Sequence, residues 1–167
     1  MSPTGTYLEI DGRPALRFER RLPHPPSRVW TMITDPDELA TWFPARVHVE
    51  AWEVGRAIRF VFDGEDGEAG ETDGRVLAVE PIRRLALDWE GDELVFELAG
   101  TDDGTLLTFT TLLAERDTAA RNAAGWDVCL DALTGQPGTD WQPLHDRYVA
   151  EGVPSGAPIP AQPASDG

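Results

Sequence analysis

The stretch Ala124-Gly125-Trp126-Asp127-Val128-Cys129-Leu130-Asp131-Ala132-Leu133 decides the fold. Together with Ala119 and Ala123, the residues Trp126, Cys129, Leu130 and Leu133 recur at the three- and four-residue spacing of one apolar helical face. Asp117 stands where it can cap the start of this helix and Gly135 where it can end it. The period runs back to about Thr118, giving a helix long enough to cross a whole sheet. The segments before it have strand character and nothing else to cover them. The chain therefore reads as one long helix gripped by a curved sheet.

Upstream, Tyr7 to Ile10 and Ala15 to Leu22 flank Asp11-Gly12, the signature of a hairpin with a tight turn. In the second arm Leu16, Phe18 and Arg20 alternate with Arg17, Glu19 and Arg21, so one face is largely apolar. Pro25-Pro26-Ser27 opens a short helix whose inner face is Val29, Trp30 and Ile33. Asp35-Pro36-Asp37-Glu38 opens a second, with a capping aspartate and a glutamate three residues on. Leu39, Trp42 and Phe43 form its apolar side, and Pro44 stops it. From Arg46 to Leu113 the period is two. Val47, Val49 and Ala51 point one way, and Arg46, His48, Glu50 and Trp52 the other, toward solvent. Strand signals follow at Ile58 to Phe62, Arg75 to Val79, Leu85 to Trp89, Leu94 to Leu98 and Leu106 to Leu113. Between Asp63 and Asp73 lies an acidic, glycine-rich loop. Short turns between strands imply antiparallel neighbours. After the long helix, Trp141, Leu144, His145 and Tyr148 share one face of a short terminal helix.

A chain of 167 residues is one domain's worth. We expect a single domain over 1–152 and a flexible Pro/Gly/Ala-rich tail over 153–167. No apolar run approaches the roughly 20 residues of a membrane span, and the N-terminus lacks the features of a signal peptide. A cytoplasmic location is the expectation, and the single cysteine fits a reducing compartment. The net charge is −16, from 30 acids and 14 bases. Such a chain repels nucleic acid and anionic lipid. All 14 bases are arginine, which excludes lysine Schiff-base chemistry and a phosphate-loop lysine.

The order of elements and several residues resemble a known family. Asp11-Gly12-Arg13-Pro14 with Leu16-Arg17-Phe18-Glu19-Arg20, Pro26 with Val29-Trp30, Leu39 with Trp42-Phe43-Pro44, Gly125-Trp126 with Leu130 and Leu133, and Trp141 with Tyr148 carry the likeness. Together they resemble the START-like (SRPBCC) superfamily, in its bacterial branch similar to the activator homologue of the heat-shock-protein-90 ATPase. Members of this branch often carry a histidine after the Gly-Trp pair; here it is Asp127. The resemblance spans about residues 6 to 151. It implies an α+β helix-grip fold: a curved antiparallel β-sheet wrapped around a long C-terminal α-helix, with two short helices after the first strand and an extra short C-terminal helix. It also implies a cavity between sheet and long helix that takes a small hydrophobic or amphipathic ligand, as some superfamily members do; others are cyclases or hydrolases. Fold alone does not select among these.

Eleven large side chains are expected to line that cavity: Trp30, Ile33, Trp42, Phe43, Phe60, Phe62, Trp89, Phe96, Phe109, Trp126 and Leu130. Close packing in the core is the competing expectation for each of them. Catalytic patterns are weak. No serine stands in a strand-to-helix elbow, and Cys129 lies on the apolar helix face, as a structural thiol does. His48 and Glu50 share a strand face at i, i+2, a spacing that suits a metal or a proton exchange, but on the solvent side. The acidic loop (Asp63, Glu65, Asp66, Glu68, Glu71, Asp73) does not match calcium-loop spacing. Arg59, Arg75 and Asp88 are expected to face outward. No catalytic residue, metal site or cofactor is assigned. A binding protein is the first reading, followed by a cyclase- or hydrolase-type enzyme using the same cavity, then a homodimeric or chaperone-associated interaction module.

Overall fold

In a computed structural model that describes residues 5–62 and 70–156, the chain begins with the hairpin β1 (Thr6–Ile10) and β2 (Arg13–Leu22). Asp11 and Gly12 take φ of 51° and 81°, the left-handed pair that a two-residue hairpin turn demands. Two short helices follow, α1 (Pro26–Thr34) and α2 (Pro36–Leu39), and Asp35 caps the second by accepting from the Asp37 N–H at 2.8 Å. α2 stops at Leu39, five residues before Pro44, because the chain tightens into turns, with the N–H of Thr41 donating to Glu38 at 3.1 Å. Leu39, Trp42 and Phe43 are nonetheless buried as expected, and the Trp42 indole donates to the Met32 carbonyl at 2.9 Å.

The strands β3 (Arg46–His48), β4 (Ala57–Val61), β5 (Glu71–Glu80), β6 (Arg84–Trp89), β7 (Asp92–Thr101) and β8 (Gly104–Leu112) form an antiparallel meander. β2 then pairs with β8, giving one curved eight-stranded sheet in the order β1-β2-β8-β7-β6-β5-β4-β3. Two sequence expectations fail here. β3 spans only three residues, so alternation no longer governs Trp52. Its side chain is half-buried, and its indole donates to the carbonyl of Thr34, in the last turn of α1, at 2.8 Å. An otherwise orphaned helix-end carbonyl has drawn it inward. β5 begins at Glu71 rather than Arg75, so Glu71 and Asp73 belong to a strand. The rest of the expected acidic loop, 63–69, lies outside the described residues.

A single 3-10 turn (Arg116–Thr118) leads into the long helix α3 (Ala119–Leu133). Asp117 lies within that turn and does not cap the helix; Thr118 occupies the cap position in helical conformation and makes no side-chain cap bond. At the other end Gly135, with φ 87°, closes the helix through its N–H on the Ala132 carbonyl at 3.1 Å, the role expected of it. The alanines at 119, 120, 123 and 124 are fully buried and allow a close approach to the sheet, while Trp126, Leu130 and Leu133 fill the space beyond. The helix α4 (Trp141–Ala150) packs on α3 through Leu144 and Tyr148. Val153 and Pro154 follow it back to the core, where the Ala120 N–H donates to the Pro154 carbonyl at 2.9 Å. No helix among the described residues is long and apolar enough to cross a membrane.

Candidate functional site

Strand parity brings most of the eleven expected side chains to one place. Phe60 on β4, Trp89 on β6, Phe96 on β7 and Phe109 on β8 rise from the sheet, Trp126 and Leu130 descend from α3, and Trp42 and Phe43 close the side beyond α2. Eight of the eleven are buried; Trp30, Phe62 and Trp89 are half-buried. Ile33 and Trp30 join the same core from α1. The rings are in mutual contact. Phe60 stacks on Trp89 at 4.5 Å, Trp89 on Phe62 at 5.8 Å, and Phe43 stacks on both Phe60 (6.0 Å) and Trp89 (5.5 Å). Trp126 meets Phe109 at 4.6 Å and Phe43 at 5.6 Å, and Phe96 meets Phe109 at 4.7 Å. Offset and tilted contacts of this kind add about 0.5–1.5 kcal/mol per pair beyond area burial.

The stacked pair needs Gly74. A Cβ there would stand 2.1 Å from the Asp88 carbonyl oxygen and 2.6 Å from the Phe60 ring, so only glycine lets β5 pass under the rings. The Trp89 indole donates to the Thr72 hydroxyl at 2.7 Å, which sets the ring's tilt. Along β8, two residues from Phe109 and on the same face, the Thr111 hydroxyl is buried without a partner among the described residues. The Tyr7 hydroxyl, in the same cross-strand row through Leu16, is likewise buried and unpartnered among the described residues.

A second cluster was not anticipated from the sequence. Arg20 shares the inner face of β2 with Leu16, Phe18 and Leu22, and reaches Asp127 at 2.9 Å and Asp131 at 3.3 Å. Tyr148 donates to the second oxygen of Asp127 and accepts the Gly5 N–H at 2.7 Å, and Thr139 donates to the second oxygen of Asp131 at 2.7 Å. Every carboxylate oxygen thus has a partner. The cluster ties β2, α3, α4 and the N-terminal segment together, and holds no carboxylate in reserve for acid–base work. Its signal was present: an arginine at an apolar parity, and two aspartates four residues apart on the decisive helix.

Other expected groups are dispersed. His48 is exposed at the end of β3, while the Glu50 carboxylate turns to Arg56 at 3.3 Å, so the pair does not share a strand face. Arg59 and Arg75 are exposed, as parity predicts, and Asp88 is half-buried. His145 stacks on Trp141 at 4.6 Å. Burial pushes the Cys129 thiol, on a half-buried residue, up to about 12, the behaviour of a structural cysteine.

The sequence profile described as Activator of Hsp90 ATPase homolog 1-like protein matches residues 23–135, from just before α1 to the close of α3. The chain belongs to this family. Solved structures similar to this Hsp90-activator-homologue-like chain extend over nearly all of it. A conserved protein of unknown function from Enterococcus faecalis, EF2215, is 22% identical with a TM-score of 0.74, covering 88% of this chain and 89% of that one. The Bordetella parapertussis protein encoded by gene BPP1335 is 26% identical with a TM-score of 0.69, covering 92% and 93%. CalU16 from Micromonospora echinospora is 24% identical with a TM-score of 0.66, covering 86% and 90%. No curated protein matches the chain. Arg20 and Tyr148 lie outside the family match, whereas Asp127 and Asp131 lie within it. The buried polar cluster therefore joins the family's helix to segments the match does not cover.

Proposed function

We propose that this family member is a non-catalytic binding protein that takes a small hydrophobic or amphipathic ligand between the sheet and α3. The observation that carries this reading is the aromatic ladder. Its outer members are half-buried: Phe62 stacks on Trp89, Trp89 stacks inward onto Phe60 and Phe43, and Phe43 meets Trp126 on the long helix. A flat or aliphatic ligand enters by taking the place of ring–ring contacts, with Phe62 and Trp89 moving aside. Such a site gives apolar area first and a few polar groups for orientation. The unpartnered hydroxyls of Thr111 and Tyr7 supply a donor and an acceptor for the ligand's polar end. Absence of catalysis is part of the proposal, since the buried carboxylates of Asp127 and Asp131 are committed to Arg20, Tyr148 and Thr139.

Native mass spectrometry of freshly purified protein, followed by denaturing extraction, tests this. A discrete extra mass that is lost in a Trp89→Ala/Phe62→Ala variant is expected. A clean mass, together with tryptophan fluorescence that ignores graded aliphatic and aromatic probes, overturns the reading.

A further inference from the structure

The groove walled by α2, β3 and β4 on the outer side of the sheet edge has about 900 Å³. Its floor includes Val47, Val49 and Ala57, and its rim carries Arg46, His48, Arg56 and Arg59 facing Asp37, Glu50 and Asp73. In a chain of net charge −16 with 14 arginines, three arginines and a histidine converge on one depression. Arg56 is neutralised locally, by Glu50 at 3.3 Å and Glu53 at 3.0 Å. His48 and Arg59 are not. They stand directly opposite each other in the β3–β4 register, both exposed, and among the described residues neither side chain makes a hydrogen bond or ion pair. Asp73 faces Arg59 from β5 but makes no ion pair with it. Two donor groups set opposite one another gain nothing from each other.

We propose that this groove binds a small organic anion, its carboxylate taken by Arg59 and His48 and its apolar body lying along Val49 and Ala57. A guanidinium offers the planar fork that matches a carboxylate, and the apolar floor continues from it. Net charge restricts the occupant's size. A polyanion or an anionic membrane meets the long-range repulsion of the whole chain, whereas one carboxylate held at Arg59 and His48 interacts chiefly within the screening length of about 8 Å. The site is separate from the aromatic ladder, none of whose rings lines it.

Titrating the full chain with sodium octanoate, followed by amide NMR, tests the proposal and keeps it apart from the interior site. The amides of Val47, His48, Ile58 and Arg59 report the groove, and the indole N–H signals of Trp89 and Trp126 report the ladder. The expected result is a saturable shift of the groove amides whose affinity falls about tenfold in Arg59→Gln, the loss of one charge-assisted hydrogen bond, with a smaller loss in His48→Ala. Inorganic phosphate, lacking the apolar body, is expected to bind more weakly, and neutral 1-octanol to leave these amides unsaturated. Unmoved groove amides, an unchanged affinity in Arg59→Gln, or equal binding of 1-octanol overturns the proposal. Movement of the indoles alone overturns it while leaving the interior reading standing; movement of the groove amides alone does the reverse for this probe.

Discussion

Arg20 on β2 and Asp127 on α3 meet at 2.9 Å with both side chains almost wholly withdrawn from water. One cation serves two carboxylates here, because Asp131 lies one helical turn further on. Removing the cation alone leaves two buried carboxylates facing each other. Arg20→Met is expected to cost about 3–5 kcal/mol in urea unfolding. The triple replacement Arg20→Met/Asp127→Leu/Asp131→Leu is expected to recover part of that, because no buried charge remains, although the hydroxyls of Tyr148 and Thr139 lose their acceptors. A single-variant cost equal to the triple-variant cost contradicts this account.

Tyr148→Phe removes the donor to Asp127 and the acceptor of the Gly5 N–H while leaving the ring in place. Its expected cost is about 1–3 kcal/mol, the desolvation of an unsatisfied buried group. Faster hydrogen exchange at Gly5 distinguishes this loss from simple repacking.

The two tryptophans at 52 and 126 give a graded test of burial. Trp126→Ala deletes a buried ring in contact with the three rings of Phe43, Trp89 and Phe109 and is expected to cost about 3–5 kcal/mol. Trp52→Ala removes a half-buried ring and its hydrogen bond to Thr34, for about 1–3 kcal/mol. An outward Trp52 would have cost almost nothing, so denaturant midpoints of the two variants separate the alternatives.

Cys129 supplies a chemical clock for opening. Burial raises its thiol from the ordinary 9.0 to about 12, so the folded chain holds the proton that the unfolded chain gives up. Its share of stability is intact below the ordinary value and is lost as pH climbs through the window up to about 12. Thiol reagents are expected to label the native protein slowly and at a rate that follows unfolding in urea. Cys129→Ala should remove the part of the alkaline decline that belongs to this group.

Asp92 is a carboxyl rather than a thiol, but its shift has the same sign. Burial raises its carboxyl above the ordinary 3.8, against the Ala114 N–H at 2.8 Å and the attraction of Arg13 and Arg121. The folded state therefore binds this proton more tightly than the unfolded chain, and stability falls as pH rises through the shifted window. Asp92→Asn keeps the acceptor for Ala114 and discards the charge. It is expected to raise the unfolding midpoint near pH 7 and to lose that advantage by about pH 3.

Much of this architecture was legible because period and parity act locally. The α3 face, the Asp11-Gly12 turn, the Asp35 cap and the strands from Ile58 onward follow from residues a few positions apart. The errors arose where a distant partner decided the outcome. Trp52 turned inward for a carbonyl eighteen residues away, and Asp117 lost its capping role to the turn that precedes α3. Arg20 was placed on the correct face, but its meaning depended on Asp127 and Asp131, more than a hundred residues later. The aromatic residues of the candidate site were named in advance; that their rings stack in a ladder depends on Gly74, which no periodic pattern singles out.

The sheet order has a consequence for how the chain assembles. β2 is made early, yet its inner neighbour is β8, so that Ala15 must find Leu112 and Phe18 must find Phe109. The opening hairpin therefore waits, with one edge unsatisfied, until the whole meander has been synthesised. Closing so long a loop is entropically slow. The charges at Arg17, Glu19 and Arg21 along that waiting strand guard it against pairing with another chain. Arg20 on that waiting strand likewise meets its carboxylates only after α3, later still in the chain, has been made.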